Sequence, residues 1–325
     1  MKAVCIRELG GPEVLRLEEM EIPDCGEGQV LIEVKAAGVN PVDTLIRQGT
    51  LKPKSLPFTP GLDASGIVKE TGRNVFHLKE GDRVFCCMAE ATYAQYCLCD
   101  ANQCWILPEY LTFAQGAAIG IPYCTAFRAL YQIHNWKQQI FEDQPTVLVH
   151  GASGAVGIAA VQIAKAAGKR VFGTAGSLEG LKLVKQLGAD LVFNHHSDTY
   201  LEEIQEAAGE RGVDVILEMA ADKNLQTDLD LLAEKGVIVV IGRHRDVHFN
   251  PLKLLLKEIA VVGVDLLKTT PEEFVELGKF LRWALDDGII FPVIDKKYAL
   301  EDAAKAQDRV VEHPSGSRGK IVIEV

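Results

Sequence analysis

The chain has 325 residues, a length that predicts two domains, and its 48% hydrophobic and 24% charged residues are typical of a globular protein. The net charge of −11 disfavours nucleic-acid binding, because such binding needs lysine and arginine to neutralise phosphates. The sequence shows no apolar run of about 18 residues and no signal-peptide pattern, so we expect no membrane partner and a cytoplasmic location.

The chain up to about residue 120 predicts β-strands joined by turns. Residues 30–40 (VLIEVKAAGVN) alternate and then end in turn residues, while SGIVKETG and GDRVFCC are typical of strands between Gly-Asp and Gly-Arg turns. Five of the eight cysteines lie between Cys86 and Cys104, but they lack the C-x2-4-C pairs of structural zinc sites. We therefore expect reduced, largely buried cysteines and no metal.

Beyond residue 122 the pattern changes to strands that alternate with helices. The strands VLVH, RVFG, LVFN, VDVILEM and VIVVIG alternate with helical segments that include LEGLKLVKQLG, TYLEEIQEAAG and LQTDLDLLAEKG. This alternation predicts an α/β fold with a doubly wound parallel sheet, which a last strand at Glu258–Leu266 completes. Thr270 and Glu273 then predict a capping box at the start of a helix. The final strand, GKIVIEV, comes too late for this sheet and is expected to join the first domain.

Three glycines separate the strand VLVH from the helix that follows it: Gly151, Gly154 and Gly157. Missing side chains permit a tight turn and the close approach of a pyrophosphate, and free N–H groups at a helix start attract anions. The strand before the glycines and the helix after them are the context that this motif requires. The turn therefore predicts a dinucleotide site, the alternative being a βα turn without a ligand.

The next strand ends at residues 174–177 without the carboxylate that binds the ribose 2′-OH of NAD, since the first acid is Glu179. Ser177, Lys182 and the pair His195–His196 suit a 2′-phosphate instead. The sequence therefore predicts NADP(H) rather than NAD(H). The alternative is that Lys182 is a solvated helix lysine and that the histidines cap a strand.

Seven motifs in this order resemble the zinc-free quinone oxidoreductases of the medium-chain dehydrogenase/reductase superfamily, zeta-crystallin type, over essentially the whole chain: GVNPVDT, PGLDASGIV, GDRVF, QGAAIGIPYCTAFRAL, HGASGAVG, FNHH and GKIVIEV. The resemblance implies a GroES-like, β-rich catalytic domain (residues 1–121 and 268–325) and a Rossmann domain (residues 122–267) that binds NADPH. The substrate is then expected in the cleft between the domains.

The resemblance also implies that zinc is absent. Zinc-using relatives place Cys, His and Cys at positions that here are Asn40, Leu62 and Ile121, an amide and two aliphatic side chains. A quinone or enone is electron-poor and accepts a hydride without a Lewis acid, whereas alcohol oxidation without one is difficult. We therefore expect no metal among the catalytic residues.

The remaining site residues are carried over from the family motifs, one by one. The resemblance places Ser153, Gly154, Ala155 and Val156 on the pyrophosphate turn, Gly176 and His195 beside the adenosine ribose and 2′-phosphate, and Asn224, Ile241, Gly242, Arg243, His244, Val264, Asp265 and Leu266 along the nicotinamide half.

Six residues are assigned to the substrate side or its surroundings, three of them with alternatives. The resemblance implies that Asn40 faces the nicotinamide and the substrate. Leu45 and Leu51 replace aromatic residues that relatives carry near the cofactor or the substrate mouth, so Leu45 is assigned to both cofactor and substrate and Leu51 to the substrate. Tyr123 is assigned either to the substrate side or to the core, and Asp43 either to a proton network or to a helix cap. Arg243 pairs with a phosphate or carboxylate, or is a solvated loop arginine.

These assignments predict an enzyme that reduces a quinone with NADPH, the protein supplying proximity and orientation and water supplying the proton. Two alternatives remain: NADPH-dependent reduction of the C=C bond of an alkenal or enone, which the aliphatic Leu45 and Leu51 favour, and an NADPH-binding structural, crystallin-like or RNA-binding protein. The resemblance further implies a homodimer or homotetramer that pairs through the edge strand within Glu258–Leu266.

Overall fold

A computed structural model of the chain describes residues 1–133, 144–243, 245–312 and 316–325. It divides into two compact units, the first comprising Met1–Cys124, Thr270–Pro314 and Gly319–Val325, and the second comprising Thr125–Thr269 and Ser315–Arg318. The predicted boundaries at residues 121 and 268 therefore lie within a few residues of these junctions. The short segment near residue 317 belongs to the second unit, because it packs beside the glycine turn described below.

The strands of the described residues follow in chain order: β1 (Lys2–Cys5), β2 (Arg16–Glu19), β3 (Gln29–Val39), β4 (Asp63–Thr71), β5 (Arg83–Cys87), β6 (Tyr96–Asp100), β7 (Cys104–Ile106), β8 (Thr146–Val149), β9 (Arg170–Ala175), β10 (Leu191–Asn194), β11 (Val213–Glu218), β12 (Leu232–Val240), β13 (Ala260–Gly263), β14 (Ile294–Ala299) and β15 (Lys320–Glu324).

The helices follow in the same way: α1 (Pro41–Arg47), α2 (Phe113–Gly116), α3 (Gly120–Phe127), α4 (Ala155–Ala166), α5 (Leu178–Gln186), α6 (Tyr200–Ala208), α7 (Ala221–Leu231), α8 (Leu252–Lys257), α9 (Pro271–Asp286) and α10 (Ala303–Glu312). The capping box predicted at Thr270 and Glu273 is present at the start of α9. Among these helices none combines the length and the apolar character that crossing a membrane requires.

The first unit is built on a seven-stranded sheet with the order β14-β15-β3-β4-β5-β7, in which β6 also pairs with β3. The C-terminal strand β15 runs antiparallel to β3, with Ile321 opposite Val39. The buried side chains of this sheet form an apolar core that includes Val30, Ile32 and Tyr93. All eight cysteines are free, and all but Cys25 are buried.

The second unit contains a six-stranded sheet with the order β10-β9-β8-β11-β12-β13, and its neighbouring strands are all parallel. Its central strands β8 and β11 are buried along their whole length, as expected for strands covered on both faces. The predicted α/β fold with a GroES-like unit and a doubly wound parallel sheet is therefore confirmed.

Two predicted elements have different bounds. The segment predicted to be helical to Gly236 leaves the helix at Leu231, because Leu232 pairs with Val213 and starts β12, which continues past Lys235 at a positive φ of 60°. The strand predicted at Glu258–Leu266 is shorter, since β13 ends at Gly263. Beyond it the side chain of Asp265 accepts a hydrogen bond from Leu267 N and starts a turn.

Candidate functional site

The glycine turn connects β8 to α4 with backbone geometry that only glycine suits. Gly151 has a positive φ of 58°. A Cβ atom at Gly157 would lie 2.4 Å from the Gly151 carbonyl oxygen and 2.6 Å from Ala152 Cα, both rigid backbone atoms. The turn therefore packs directly on the first turn of α4, which leaves no room for a side chain at Gly157, while the positive φ favours glycine at Gly151.

Helix α4 begins without a capping side chain. Its N-cap is Gly154, which offers no side-chain acceptor, and no acidic residue lies in its first turn. By contrast, Ser177 caps α5 and Thr270 caps α9. The N-cap therefore supplies no side-chain acceptor for the first N–H groups of α4, at Ala155 and Val156, where the helix dipole favours an anion. Such a terminus fits the pyrophosphate of a dinucleotide.

Gly176 follows β9 and lies against two histidines at the end of β10. A Cβ atom at Gly176 would lie 2.6 Å from His195 Nε2 and 2.7 Å from His196 Nε2, so a larger residue would displace these rings. Burial, together with the charges of His196, His150 and Lys223, lowers the pKa of His195 to about 4. His195 is therefore neutral near pH 7 and gains its proton only beside an added negative charge.

The other two residues of the predicted 2′-phosphate group lie on α5. The hydroxyl of Ser177 accepts a hydrogen bond from Gly180 N at 3.1 Å, so its own O–H remains available to a ligand. Lys182 lies within the same helix with an exposed side chain. Both are compatible with a phosphate near Gly176, and neither position carries a carboxylate.

Sequence reasoning missed a third segment at this place. A Cβ atom at Gly154 would lie 3.4 Å from Ser317 Oγ, and one at Gly316 would lie 3.5 Å from Ser177 Oγ. The segment from Gly316 to Arg318 therefore lies beside both the glycine turn and the cap of α5. The pattern that could have identified it is a serine and an arginine between two glycines, Gly316 and Gly319. In the structure both glycines have a positive φ.

The residues assigned to the nicotinamide half follow the next strands of the same sheet. The N–H groups of Ile241 and Gly242 donate to the Glu218 carbonyl at 2.8 and 3.2 Å, and Val264 N donates to the Val240 carbonyl at 3.1 Å. These segments thus leave β12 and β13 at their carboxyl ends. Leu266 is nearly buried, in a short 3₁₀ turn with Asp265 as its cap.

Asn224 and Arg243 already have partners within the protein. The Asn224 amide donates to both carboxylate oxygens of Glu218, at 3.2 and 3.1 Å. Arg243 forms an ion pair of 3.6 Å with Asp246, and both side chains are largely exposed. This exposed ion pair is compatible with a solvated loop arginine, and the pairing of Arg243 with a phosphate or carboxylate stays a prediction. His244 lies outside the described residues.

A buried polar cluster lies directly behind the glycine turn. His150 Nε2 lies 2.9 Å from Asp228 Oδ1 and 3.7 Å from Glu218 Oε2. On the other side of the ring, Nδ1 contacts Thr174 Oγ1, which also accepts a hydrogen bond from Gly151 N. The cluster therefore connects to the backbone of the turn. It is the one group among the described residues whose donor atoms are spaced to hold a metal ion.

The ionisation of this cluster is shifted by its surroundings. Burial raises the pKa of Glu218 to about 7, with His150 acting against it and the adjacent Asp228 acting with it. Burial works to lower the pKa of His150, but the charge and hydrogen bond of Asp228, together with Glu218, raise it overall. Two touching carboxyl groups in a dry interior do not both ionise readily, so the cluster retains a proton near neutral pH.

The first unit contains a second buried polar cluster, around Asn40. The Asn40 amide donates to Asp63 Oδ2 at 3.0 Å, and its oxygen accepts a hydrogen bond from Lys320 Nζ. Lys320 Nζ also donates to Asp63 Oδ2 at 3.0 Å, while Ile121 N donates to Asp63 Oδ1 at 2.7 Å. Sequence reasoning identified Asn40 but not Asp63 or Lys320 as partners.

Asp43 serves as a cap, with a hydrogen bond to a tyrosine. Its carboxylate accepts from Asn40 N at 2.8 Å, as part of a capping box for α1, and from Tyr93 Oη at 3.0 Å. Burial raises the pKa of Asp43 to about 7. The residue is therefore the helix cap of the two alternatives, and its part in a proton network stays a prediction.

Three residues assigned to the substrate side lie in different environments. Leu45 and Leu51 are 37% and 38% exposed, so both offer aliphatic surface to solvent or to a ligand. Tyr123 is 1% exposed and lies inside the first unit, on α3. Of the two alternatives for Tyr123, the substrate side or the core, this burial agrees with the core.

The three positions at which zinc-using relatives have ligands do not fit zinc. The Asn40 amide is engaged by Asp63 and Lys320, and the other two side chains, Leu62 and Ile121, carry no donor atom. Zinc takes thiolate, imidazole or carboxylate ligands in a tetrahedral set. Of the two carboxylates beside Asn40, Asp43 caps α1, and Asp63 is already surrounded by a lysine, an amide and a backbone N–H.

Comparison with known proteins gives matches over the whole chain. A family described as the alcohol dehydrogenase GroES-like domain matches residues 26–109, and one described as zinc-binding dehydrogenase matches residues 155–283. The quinone oxidoreductase of Rattus norvegicus is 47% identical over 99% of this chain and 97% of its own length. That of Homo sapiens is 45% identical with the same coverage. The structure of Escherichia coli quinone oxidoreductase complexed with NADPH is 29% identical, covers both chains completely and gives a TM-score of 0.86.

The raised pKa of Glu218 predicts how stability depends on pH. Folded Glu218 keeps its proton up to about pH 7, whereas the ordinary value for an unfolded glutamate is 4.5. The folded state thus binds more protons in this window, so the free energy of unfolding falls as pH rises through it. In Glu218→Gln this loss is absent, and we expect the variant to gain on the order of 2 kcal/mol relative to the unmodified chain between about pH 5 and pH 7.5.

Urea unfolding of both proteins across this range measures the effect. Glu206→Gln, which replaces an exposed glutamate of α6, is the matched control and should show the pH dependence of the unmodified chain. Equal pH slopes for Glu218→Gln and the unmodified chain would show that Glu218 ionises normally.

Proposed function

We propose, because the chain belongs to the quinone oxidoreductase family of the medium-chain dehydrogenase/reductase superfamily, that it is an NADPH-dependent quinone reductase that works without zinc. The observation that carries this proposal is 47% identity to a quinone oxidoreductase over 99% of the chain. The uncapped start of α4 supports it, since that terminus fits a dinucleotide. A cytoplasmic location stays a prediction.

The cofactor would extend along the carboxyl edge of the parallel sheet. The N–H groups at Ser153–Val156 would bind the pyrophosphate, and Ser177, Lys182 and His195 would bind the 2′-phosphate, with Ser317 beside them. The segments at Ile241–Gly242 and Val264–Leu266 would flank the nicotinamide. No carboxylate at the end of β9 competes with a phosphate, which supports NADPH over NADH.

The reaction needs little from the protein beyond positioning. Bound NADPH would supply the electrons, as in other nicotinamide enzymes. Asn40 has one amide hydrogen that Asp63 does not use, and this N–H would orient the carbonyl oxygen of the acceptor. Because a quinone is already electron-poor, no Lewis acid is required, and the quinol oxygen takes its proton from water. The aliphatic Leu45 and Leu51 would line the approach.

The assembly that we propose is a homodimer or homotetramer that pairs through the open edge of the parallel sheet. Strand β13 forms that edge, and it has β12 on one side and no further strand of the described sheet on the other. The short helix α8 before it exposes Leu252, Leu255 and Leu256 by 52%, 76% and 72%. An open edge beside exposed leucines is typical of a surface that pairs with a second copy.

The activity is tested by following oxidation of NADPH with three acceptors: an ortho-quinone, a para-quinone and an alkenal. We expect turnover of a quinone that persists after treatment with a metal chelator and is weak with NADH. Turnover of the alkenal alone would instead identify a double-bond reductase. Tight NADPH binding without any turnover would leave the structural or binding role and would contradict the proposed enzyme.

The preference for NADPH is tested with Lys182→Ala and His195→Ala. Each removes a group that would donate to the 2′-phosphate, and such charge-assisted hydrogen bonds contribute about 1.5–3 kcal/mol, which corresponds to about a tenfold or larger rise in Kd. We expect that rise for NADPH and no change for NADH, measured by nucleotide fluorescence. Lys185→Ala on the same helix is the control, since its ammonium group bonds to the Asp190 carbonyl. Equal losses for both nucleotides would place the 2′-phosphate elsewhere.

The assembly is tested with the double substitution Leu255→Asp and Leu256→Asp. Two charges added to a surface that a second copy covers oppose association. Sedimentation should therefore show a smaller species for the double variant than for the unmodified chain, and thermal unfolding should show that this smaller species is still folded. Phe76→Asp, at a phenylalanine of the first unit that is 90% exposed, is the control and should assemble normally. A monomeric unmodified chain, or an unchanged assembly in the double variant, would exclude this surface.

A further inference from the structure

The Asp63 carboxylate joins four segments of the first unit that are distant in sequence. It accepts hydrogen bonds from the Asn40 amide at 3.0 Å, from Ile121 N at 2.7 Å and from Lys320 Nζ at 3.0 Å. Asp63 is fully buried, and Asn40 and Lys320 are each 3% exposed. These bonds connect the end of β3 and the start of β4 with the starts of α3 and β15.

Three of these segments are the ones that a zinc ion joins in relatives of the superfamily, at the positions of Asn40, Leu62 and Ile121. Here the carboxylate of the residue after Leu62 makes those connections instead, and the charge opposite it is an ammonium group. The ion pair therefore lies where a divalent cation would otherwise organise the substrate end of the site. The two side chains of this ion pair lie in the family motifs, Asp63 in PGLDASGIV and Lys320 in GKIVIEV.

The packing around the pair leaves it little freedom. A Cβ atom at Gly38 would lie 2.9 Å from both Asp63 Cβ and Lys320 Cε, and one at Gly120 would lie 2.3 Å from Asp63 Oδ1. Glycines on two sides thus make room for the pair and hold it closely. Both Asp63 and Lys320 act electrostatically on the pKa of the nearby Asp43, and Asp63 also acts on those of Tyr93, Cys86 and Cys87.

A buried ion pair is weak evidence for a contribution to stability. Removing two charges from water costs much of what their attraction returns, and apolar replacements are often equally stable. Stability alone therefore does not explain why Lys320 and Asp63 are charged. The ammonium group donates to Asn40 Oδ1, which draws electron density toward that oxygen and strengthens the amide N–H groups as donors.

We propose that Lys320, held in place by Asp63, is a positioning residue that polarises the Asn40 amide and so strengthens the hydrogen bond to the carbonyl oxygen of a bound quinone. This inference rests on the proposed function and deepens it. Lys320 acts through Asn40, and Asp63 fixes both in register with α3. The ion pair holds together the chain segments that a metal ion would otherwise join. The polarised amide withdraws some electron density from the carbonyl oxygen, as a Lewis acid does more strongly.

The test uses the double substitution Lys320→Met and Asp63→Asn, which removes both charges together and so avoids leaving one buried charge without its partner. The full chain is compared with and without NADPH. We expect an unchanged Kd for NADPH, a thermal midpoint close to that of the unmodified chain, and a tenfold or larger loss of kcat/KM for a para-quinone.

A second readout does not depend on turnover. The carbonyl stretch of a bound para-naphthoquinone, labelled at the carbonyl carbon and measured by difference infrared spectroscopy, reports the strength of the hydrogen bond to its oxygen. We expect the stretch to lie at a lower frequency in the unmodified chain than in the double variant. The control is Lys35→Met with Glu33→Gln, which removes a half-buried ion pair on β3 and should change neither readout.

The outcomes separate this inference from the proposed function. If the unmodified chain reduces the quinone but the double variant keeps its kcat/KM and its carbonyl frequency, Lys320 and Asp63 only connect chain segments, and the inference is overturned. If the unmodified chain neither binds nor reduces a quinone, the proposed function fails and this inference fails with it. Should this double variant not fold, Lys320→Gln with Asp63→Asn, which removes both charges and keeps hydrogen-bonding side chains, is measured for the carbonyl frequency, where the absence of a shift overturns the proposal.

Discussion

The parallel alignment of β8 to β13 is the constraint on which the candidate cofactor site depends. Parallel strands deliver every following segment to the same edge of the sheet. The glycine turn, Gly176, His195, Ile241 and Val264 come directly after the carboxyl ends of strands in the sheet of order β10-β9-β8-β11-β12-β13, and Asn224 lies in the first turn of α7, which follows β11. Residues that are spread over more than a hundred positions of the sequence thus line a single edge of the sheet. The start of α4, which has no capping side chain, lies near the middle of that edge.

The first unit places its polar cluster by the register of antiparallel strands. In the pairing of β3 with β4, Gly38 lies opposite Asp63, and in the pairing of β3 with β15, Val39 lies opposite Ile321. Asn40, Asp63 and Lys320 therefore meet at one end of the central strand. A shift of one residue in either pairing would turn one of these side chains to the other face, so the apolar alternation of β3 indirectly positions the polar cluster.

Both units bury charged groups and compensate them in different ways. In the first unit, Lys320 and Asp63 neutralise each other directly, with Asn40 and Ile121 N satisfying the remaining bonds. In the second unit, Glu218 and Asp228 face one histidine, and the excess negative charge is reduced by a proton whose release is shifted to about pH 7. Each cluster is connected to residues assigned to the reaction site, through Asn40 in one unit and through Thr174 and Gly151 in the other.

The sequence by itself determined the features that depend on neighbouring residues. Alternation and helical spacing predicted the parallel sheet, three glycines between a strand and a helix predicted the anion-binding turn, and Thr270 with Glu273 predicted a cap. Only the tertiary structure decided which distant residues meet, because such contacts depend on strand register and burial. It brought Lys320 to Asn40, placed Ser317 beside Gly154, buried Tyr123, and ended α7 at Leu231, where pairing with β11 overrides helical propensity. The shifted pKa values of Glu218 and Asp43 belong to the same group, since desolvation is a property of the folded interior and not of the residue type.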